Sequence, residues 1–174
     1  MIEIKELEKD TYLNKKFTVR YQTKGYYDIH PSNLGFEIKY EMFEKEKEMS
    51  FDDVFFGDWL DAPKAFGAFE KEHLLGYVEG TLENWNNRYR ISNICVFDNC
   101  DRHKGIGTLL MNFILKEAIK SGARMVVLET QTCNENAIAF YKKMGFDIIG
   151  FDLFAYSNCD MERHEVRIEM GKIV

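Results

Sequence analysis

The sequence predicts an α/β (α+β) domain: a mixed β-sheet with helices laid over it. Three observations carry this. Residues 64–97 read as three strands joined by short turns, an antiparallel meander. An amphipathic helix follows, with Ile106, Leu109, Leu110, Phe113, Ile114 and Ala118 recurring on one face of a 3.6-residue period. Then Met125, Val126, Val127 and Leu128 form an unbroken apolar run, as expected of a strand covered on both faces. A strand, a crossover helix and a further strand make parallel neighbours, so the sheet combines both pairings.

In chain order, residues 17–22 and 34–43 are predicted strands, the second alternating as Leu34, Phe36, Ile38, Tyr40 and Met42. Pro31-Ser32-Asn33 is the turn between them. The charge run at residues 44–48 is expected to be a solvated hairpin end or short helix. The meander strands are residues 64–70, 73–83 and 88–97, with a turn at Asn84-Trp85-Asn86-Asn87. Ser121-Gly122 stops the helix, the glycine supplying a left-handed cap. A second helix is predicted over residues 134–144, with Ala137, Ile138, Phe140, Tyr141 and Met144 on its apolar side and Gly145 closing it. Residues 147–156 and 163–170 are the closing strands.

At 174 residues the chain is the length of one domain, 1–174, with a harder-to-read region at 1–62 and a clearly patterned core at 63–174. The net charge of −6 argues against a nucleic-acid partner, which needs a basic face. No run of 18 apolar residues is present, so no membrane partner is expected, and residues 1–7 lack a signal-peptide core. A cytoplasmic protein is expected. Cys95, Cys100, Cys133 and Cys159 show no C-x-x-C spacing, and no histidine stands at metal-ligand spacing from them, so no metal is expected.

The chemistry-bearing signal is Arg102-His103-Lys104-Gly105-Ile106-Gly107, between a strand and a helix. Glycines let the backbone approach a bulky anion. The N–H groups of the first helical turn then point at it, aided by the helix dipole. Arg102 and Lys104 add positive charge. Neither the Walker A loop nor the dinucleotide fingerprint fits, because the lysine precedes the glycines and a third glycine is missing. A glycine pair can also mark a plain turn.

This segment resembles the R/Q-x-x-G-x-G/A signature of the GNAT superfamily of N-acetyltransferases. Residues 134–146, Asn-Glu-Asn-Ala-Ile-Ala-Phe-Tyr-Lys-Lys-Met-Gly-Phe, resemble that family's N-x-x-A-x-x-x-Y-x-x-x-G-F signature. The resemblance covers residues 63–170. It implies a GNAT-like, centrally splayed mixed sheet flanked by helices, with 63–174 as the acetyl-CoA-binding core. It implies that Arg102, His103, Lys104, Gly105, Ile106, Gly107 and Thr108 bind the pyrophosphate of acetyl-CoA. Backbone around Cys95 and Val96 would pair with the pantetheine arm, and Asn134 would contact it or shape its pocket. Tyr141 would protonate the leaving thiolate, although it equally suits a packed helix aromatic.

Amine attack on a thioester also needs a proton acceptor. Glu79, on a meander strand, and Glu129, at the end of the buried strand, are the candidates. Either could take the proton through water or simply hold a cation, and an exposed strand-end charge fits them as well. Shorter blocks, Trp85-Asn86, Leu128 to Thr132, Asp152 to Tyr156, Asp28-Ile29-His30 and Gly35-Phe36-Glu37, resemble streptothricin acetyltransferases, which acetylate an amine of a cationic antibiotic. That resemblance implies a small-molecule cationic amine partner held by Glu37, Trp85, Glu129, Asp152 and Tyr156 through ion pairing and cation–π contact, and a role in antibiotic resistance. A peptide, lysine or polyamine acceptor, or a non-catalytic acyl-CoA-binding module, remains open, and a homodimer is a family-level expectation.

Overall fold

A computed structural model of the chain describes residues 1–97 and 105–174. The elements in chain order are β1 (Ile2–Glu6), α1 (Lys9–Tyr12), β2 (Lys16–Ser32), β3 (Gly35–Val54), β4 (Lys64–Glu70), β5 (His73–Glu83) and β6 (Arg88–Val96), then α2 (Ile106–Lys120), β7 (Met125–Gln131), α3 (Glu135–Lys143), β8 (Asp147–Asp152), α4 (Asp160–Arg163) and β9 (Arg167–Ile173). Seven strands hydrogen-bond in the order β1-β4-β5-β6-β7-β9-β8, while β2 and β3 form a two-stranded ribbon. β1/β4, β4/β5, β5/β6 and β8/β9 are antiparallel and β6/β7 is parallel, the mixed α+β sheet that the sequence predicts. No helix among the described residues is long and apolar enough to cross a membrane.

The chain forms two compact units. The first comprises Met1–Val19, Phe51–Leu128 and Lys172–Val174. Its meander forms because strand-length apolar runs are separated by tight turns, and helix α2 covers it by burying Ile106, Leu110, Met111, Ile114, Leu115 and Ala118. Gly76 sets how closely β5 meets β6: a Cβ there would lie 2.5 Å from the Cys95 carbonyl oxygen and 3.1 Å from Val96 Cα. A second cluster joins Phe17, Phe55, Tyr77 and Phe97, with Phe17 edge-on to Tyr77 at 5.1 Å and to Phe55 at 4.9 Å. Each such pair adds about 0.5–1.5 kcal/mol beyond its buried area.

The second unit comprises Arg20–Ser50 and Glu129–Gly171. Here Val166, Ile168 and Met170 are buried while Arg167 and Glu169 alternate with them, a strand read with period 2. Buried Asp160 holds the loop before α4, accepting from the Tyr156 N–H at 2.8 Å and the Ser157 hydroxyl at 2.6 Å. Burial raises its carboxyl, but those hydrogen bonds outweigh it and hold the group below its usual range.

Several expected boundaries are corrected. The charge run at residues 44–48 is neither a hairpin end nor a helix; it lies inside the 20-residue strand β3. β3 is exposed along most of its length, so pairing with β2 rather than burial makes it a strand. The predicted strand at 147–156 stops at Asp152, and that at 163–170 starts at Arg167, because α4 and its left-handed cap His164 (φ 62°) occupy the interval. Strand β1 and helix α1 were not expected.

Candidate active site

In the first unit the candidate base Glu79 is fully buried, not an exposed strand charge. β5 and β6 pair Glu79 with Asn93 but Gly80 with Ile91, so Ser92 is the extra residue of a bulge. The Ser92 hydroxyl donates to the Glu79 carbonyl at 3.2 Å. Glu79 Oε2 accepts from the backbone N–H of Phe56 at 3.1 Å, where Phe56 adopts φ 54°. Oε1 is buried with no partner among the described residues. Burial is the main cause that pushes this carboxyl up to about 7, with nearby Asp53 adding to it and the Phe56 bond opposing it. Asp53 is itself fixed, accepting from Asn93 Nδ2 at 2.8 Å and from the Val54 N–H at 2.8 Å.

The same unit carries the turn to which the sequence assigns an anion. Gly105 has φ 69°, the left-handed conformation, and a Cβ added to it would meet nothing within 4 Å. Helix α2 has no side-chain cap and no acidic residue in its first turn, so its N-terminal face suits an anion. Ile106 is buried against the sheet, whereas Thr108 is exposed. Arg102, His103 and Lys104 lie outside the described residues. Among the described residues the β6/β7 ladder pairs Arg88–Arg90 with Met125–Val127, and β6 then runs on through Cys95 to Val96. Trp85 stands in the β5–β6 turn, 83% exposed, with the Arg88 guanidinium carbon 5.9 Å from its ring centroid.

In the second unit Asn134 caps helix α3, its side chain accepting from the Ala137 N–H at 3.2 Å. Tyr141 is buried on that helix, its ring 5.6 Å from Phe140 and 6.2 Å from Phe146. Three predicted acceptor residues come together: the Glu129 charge acts on the Tyr156 phenol, and Arg167 lies 3.6 Å from Glu129 Oε2 and 3.5 Å from Asp152 Oδ2. Burial and the Glu129 charge raise the Tyr156 phenol, which stays a protonated donor. Asp152 Oδ1 accepts from the Phe154 N–H at 3.0 Å, an Asx-type turn that fixes the carboxylate. Glu37 lies exposed on β3, 2.9 Å from Lys39 Nζ, and no ion pair joins it to this group among the described residues.

An open cleft of about 780 Å³ is lined by Phe36, Asp152, Phe154, Arg167 and Glu169 among others. Arg167 and Glu169 were missed in the sequence because β9 was placed four residues too early, which hid the pairing of Asp152 with Arg167 and of Gly150 with Glu169. The alternation of Arg167 and Glu169 with buried Val166, Ile168 and Met170 is the signal that identifies them.

Residues 33–146 match the Acetyltransferase (GNAT) family. A streptothricin acetyltransferase of Escherichia coli is 34% identical over 131 residues, 75% of this chain and 72% of that protein. Among solved structures, a nourseothricin acetyltransferase superposes with a TM-score of 0.78 at 22% identity, over 99% of this chain and 98% of its own. A Bacillus anthracis protein assigned as a streptothricin acetyltransferase, in complex with acetyl coenzyme A, superposes with a TM-score of 0.74 at 24% identity, over 100% and 98%. With its mixed sheet, its glycine-opened helix and a family match across more than half its length, the chain belongs to the GNAT family of acetyltransferases.

Proposed function

We propose that the protein transfers the acetyl group of acetyl-CoA to a primary amine of a small polycationic acceptor of the streptothricin class. The observation that carries the acceptor class is the cleft of the second unit, whose aromatic wall accompanies three carboxylates and one guanidinium. Acetylation removes one positive charge from such a molecule, a change suited to antibiotic resistance.

Acetyl-CoA supplies the activated acyl group as a thioester. Its anionic end fits the first turn of α2, where Gly105, Ile106, Gly107 and Thr108 offer backbone N–H groups without a competing acid. Arg102, His103 and Lys104 are assigned the same anion from their sequence alone. Cys95 and Val96 are assigned the pantetheine arm, supported by the short β6/β7 ladder. Asn134 caps α3 and so fixes the helix that carries Tyr141.

Glu79 is the general base in this reading. A carboxyl near 7 is matched to proton transfer at neutral pH and, once ionised, accepts from the acceptor nitrogen directly or through water. Tyr141 holds a proton at its hydroxyl for the departing sulfur. Glu129, Asp152 and Tyr156 orient the cationic acceptor, and Glu37 and Trp85 are assigned to its outer contacts.

A free-thiol release assay with acetyl-CoA and a panel of amines tests this. Release with streptothricin, and little with a peptide N-terminus or spermidine, is expected. Release with the peptide alone would make the protein an N-terminal acetyltransferase, and no release with any amine would favour a binding module.

A further inference from the structure

The cleft floor consists of two neighbouring cross-strand pairs on one face of β8 and β9: Asp152 opposite Arg167 and Gly150 opposite Glu169. Glycine gives Glu169 no side chain to meet, and no ion-pair partner of Glu169 occurs among the described residues. Glu129 and Asp152 share the single guanidinium of Arg167. Two carboxylates and one cation, beside one unpaired carboxylate, leave the floor two negative charges in excess.

Arg167 is held loosely. Its contacts of 3.5 and 3.6 Å exceed a good N–H···O distance. Its Nε–H is buried without a partner among the described residues, so the guanidinium makes no forked, two-bond grip. The carboxylates are 40% and 48% exposed, and solvated ion pairs of this kind contribute little to stability. Asp152 is fixed by a further bond, from the Phe154 N–H at 3.0 Å, and stays in place when the guanidinium moves.

We propose that Arg167 is an internal substitute for the acceptor's positive charge: it occupies Glu129 and Asp152 in the free protein and is displaced by an incoming polycationic amine. Arg167 thereby sets specificity. A singly charged amine gains too little from the unpaired Glu169 to displace it, whereas a molecule with two or more separated cations engages Glu169 and then the released pair. The identity of the acceptor rests on the acetyltransfer reading above, but the displacement does not.

The test compares the KM for streptothricin of the full-length wild type with that of R167Q and R167K. Removal of the competing charge in R167Q is expected to lower KM by about three- to tenfold at low salt, the size of one screened charge contact. The gap shrinks at high salt as screening shortens the reach of that charge. R167K, which restores the cation, is expected to return KM towards the wild-type value. A structural lesion does not produce tighter binding. A KM that rises or stays unchanged in R167Q, or an R167K as tight as R167Q, would overturn the proposal by making the guanidinium a direct acceptor contact or a bystander. R167M serves the same purpose should R167Q fold poorly. If the wild type turns over no streptothricin, the acceptor reading fails by itself. Calorimetry with spermidine then decides the displacement: tighter binding to R167Q supports it, and equal or weaker binding refutes it.

Discussion

Glu79 in the first unit and Glu129 in the second are both strand glutamates and both candidate proton acceptors, yet their surroundings differ. Glu79 is fully buried, with one oxygen on the Phe56 N–H and the other without a partner among the described residues. Glu129 is exposed, with the Arg167 guanidinium 3.6 Å from it. Desolvation without a counter-ion makes a proton acceptor, because it brings the carboxyl close to neutral pH. Solvation with an exchangeable counter-ion makes a cation holder. This contrast supports the proposed assignment of proton transfer to Glu79 and of charge recognition to Glu129 and its neighbours.

The largest expected effect tests the proposed acid, Tyr141, rather than either glutamate. Tyr141→Phe keeps the buried ring and removes only the hydroxyl, so kcat should fall by about 100-fold or more while calorimetry still detects acetyl-CoA binding. Undiminished turnover would return Tyr141 to a packing role among Phe140 and Phe146.

Glu79→Gln is next. Because the Glu79 carboxyl is raised to about 7, it is protonated and idle as a base below that pH; kcat/KM of the wild type should therefore rise through pH 7 and level above it. The glutamine variant should lose roughly tenfold to hundredfold at pH 8 and lose that acidic limb. Stability follows the same shift. A folded-state value above the usual 4.5 favours the folded protein at low pH, and the advantage is lost as pH rises through about 7. The Tm of E79Q relative to wild type should thus climb between pH 4.5 and 7 and then flatten. A pH-independent difference, with the kinetic limb retained, would move the base to Glu129 or to water.

How much of this was legible in the sequence follows from how local each signal is. Strands β4 to β6, helix α2 and helix α3 are written in short-range periodicity and glycine stops, and they stand where they are expected. Strand β3 is not, because its charged residues 44–48 are held extended by pairing with β2. The burial of Glu79 is also non-local: β5 is buried on both faces from Leu75 to Gly80, so alternation cannot reveal where that side chain points. The cleft residues Arg167 and Glu169 depended on the register of β8 against β9, which the short helix α4 displaced.

Glu169→Gln addresses the exposed half of the contrast with a smaller effect. It removes the unpaired carboxylate without touching the Arg167 contacts, so the KM for a polycationic acceptor should rise about threefold at low salt and less at high salt. A change in kcat with KM unmoved would show that Glu169 does not recognise the acceptor's charge.

Asn134 gives the smallest effect and separates two roles that one residue carries. Its side chain accepts from the Ala137 N–H, so Asn134→Ala should cost about 1 kcal/mol, a Tm drop of roughly 2–4 °C for a chain of this length. Asn134→Asp retains an acceptor oxygen at the cap and favours the helix N-terminus, and it should keep the Tm. The amide's donor is lost in the aspartate. If Asn134 serves the helix alone, Asn134→Asp should match the wild type in KM for acetyl-CoA. A KM that rises in Asn134→Asp with the Tm intact would instead place the amide on the pantetheine arm. Helix capping and cofactor contact would then be separate duties of one side chain, as proton transfer and charge recognition are the separate duties proposed for Glu79 and Glu129.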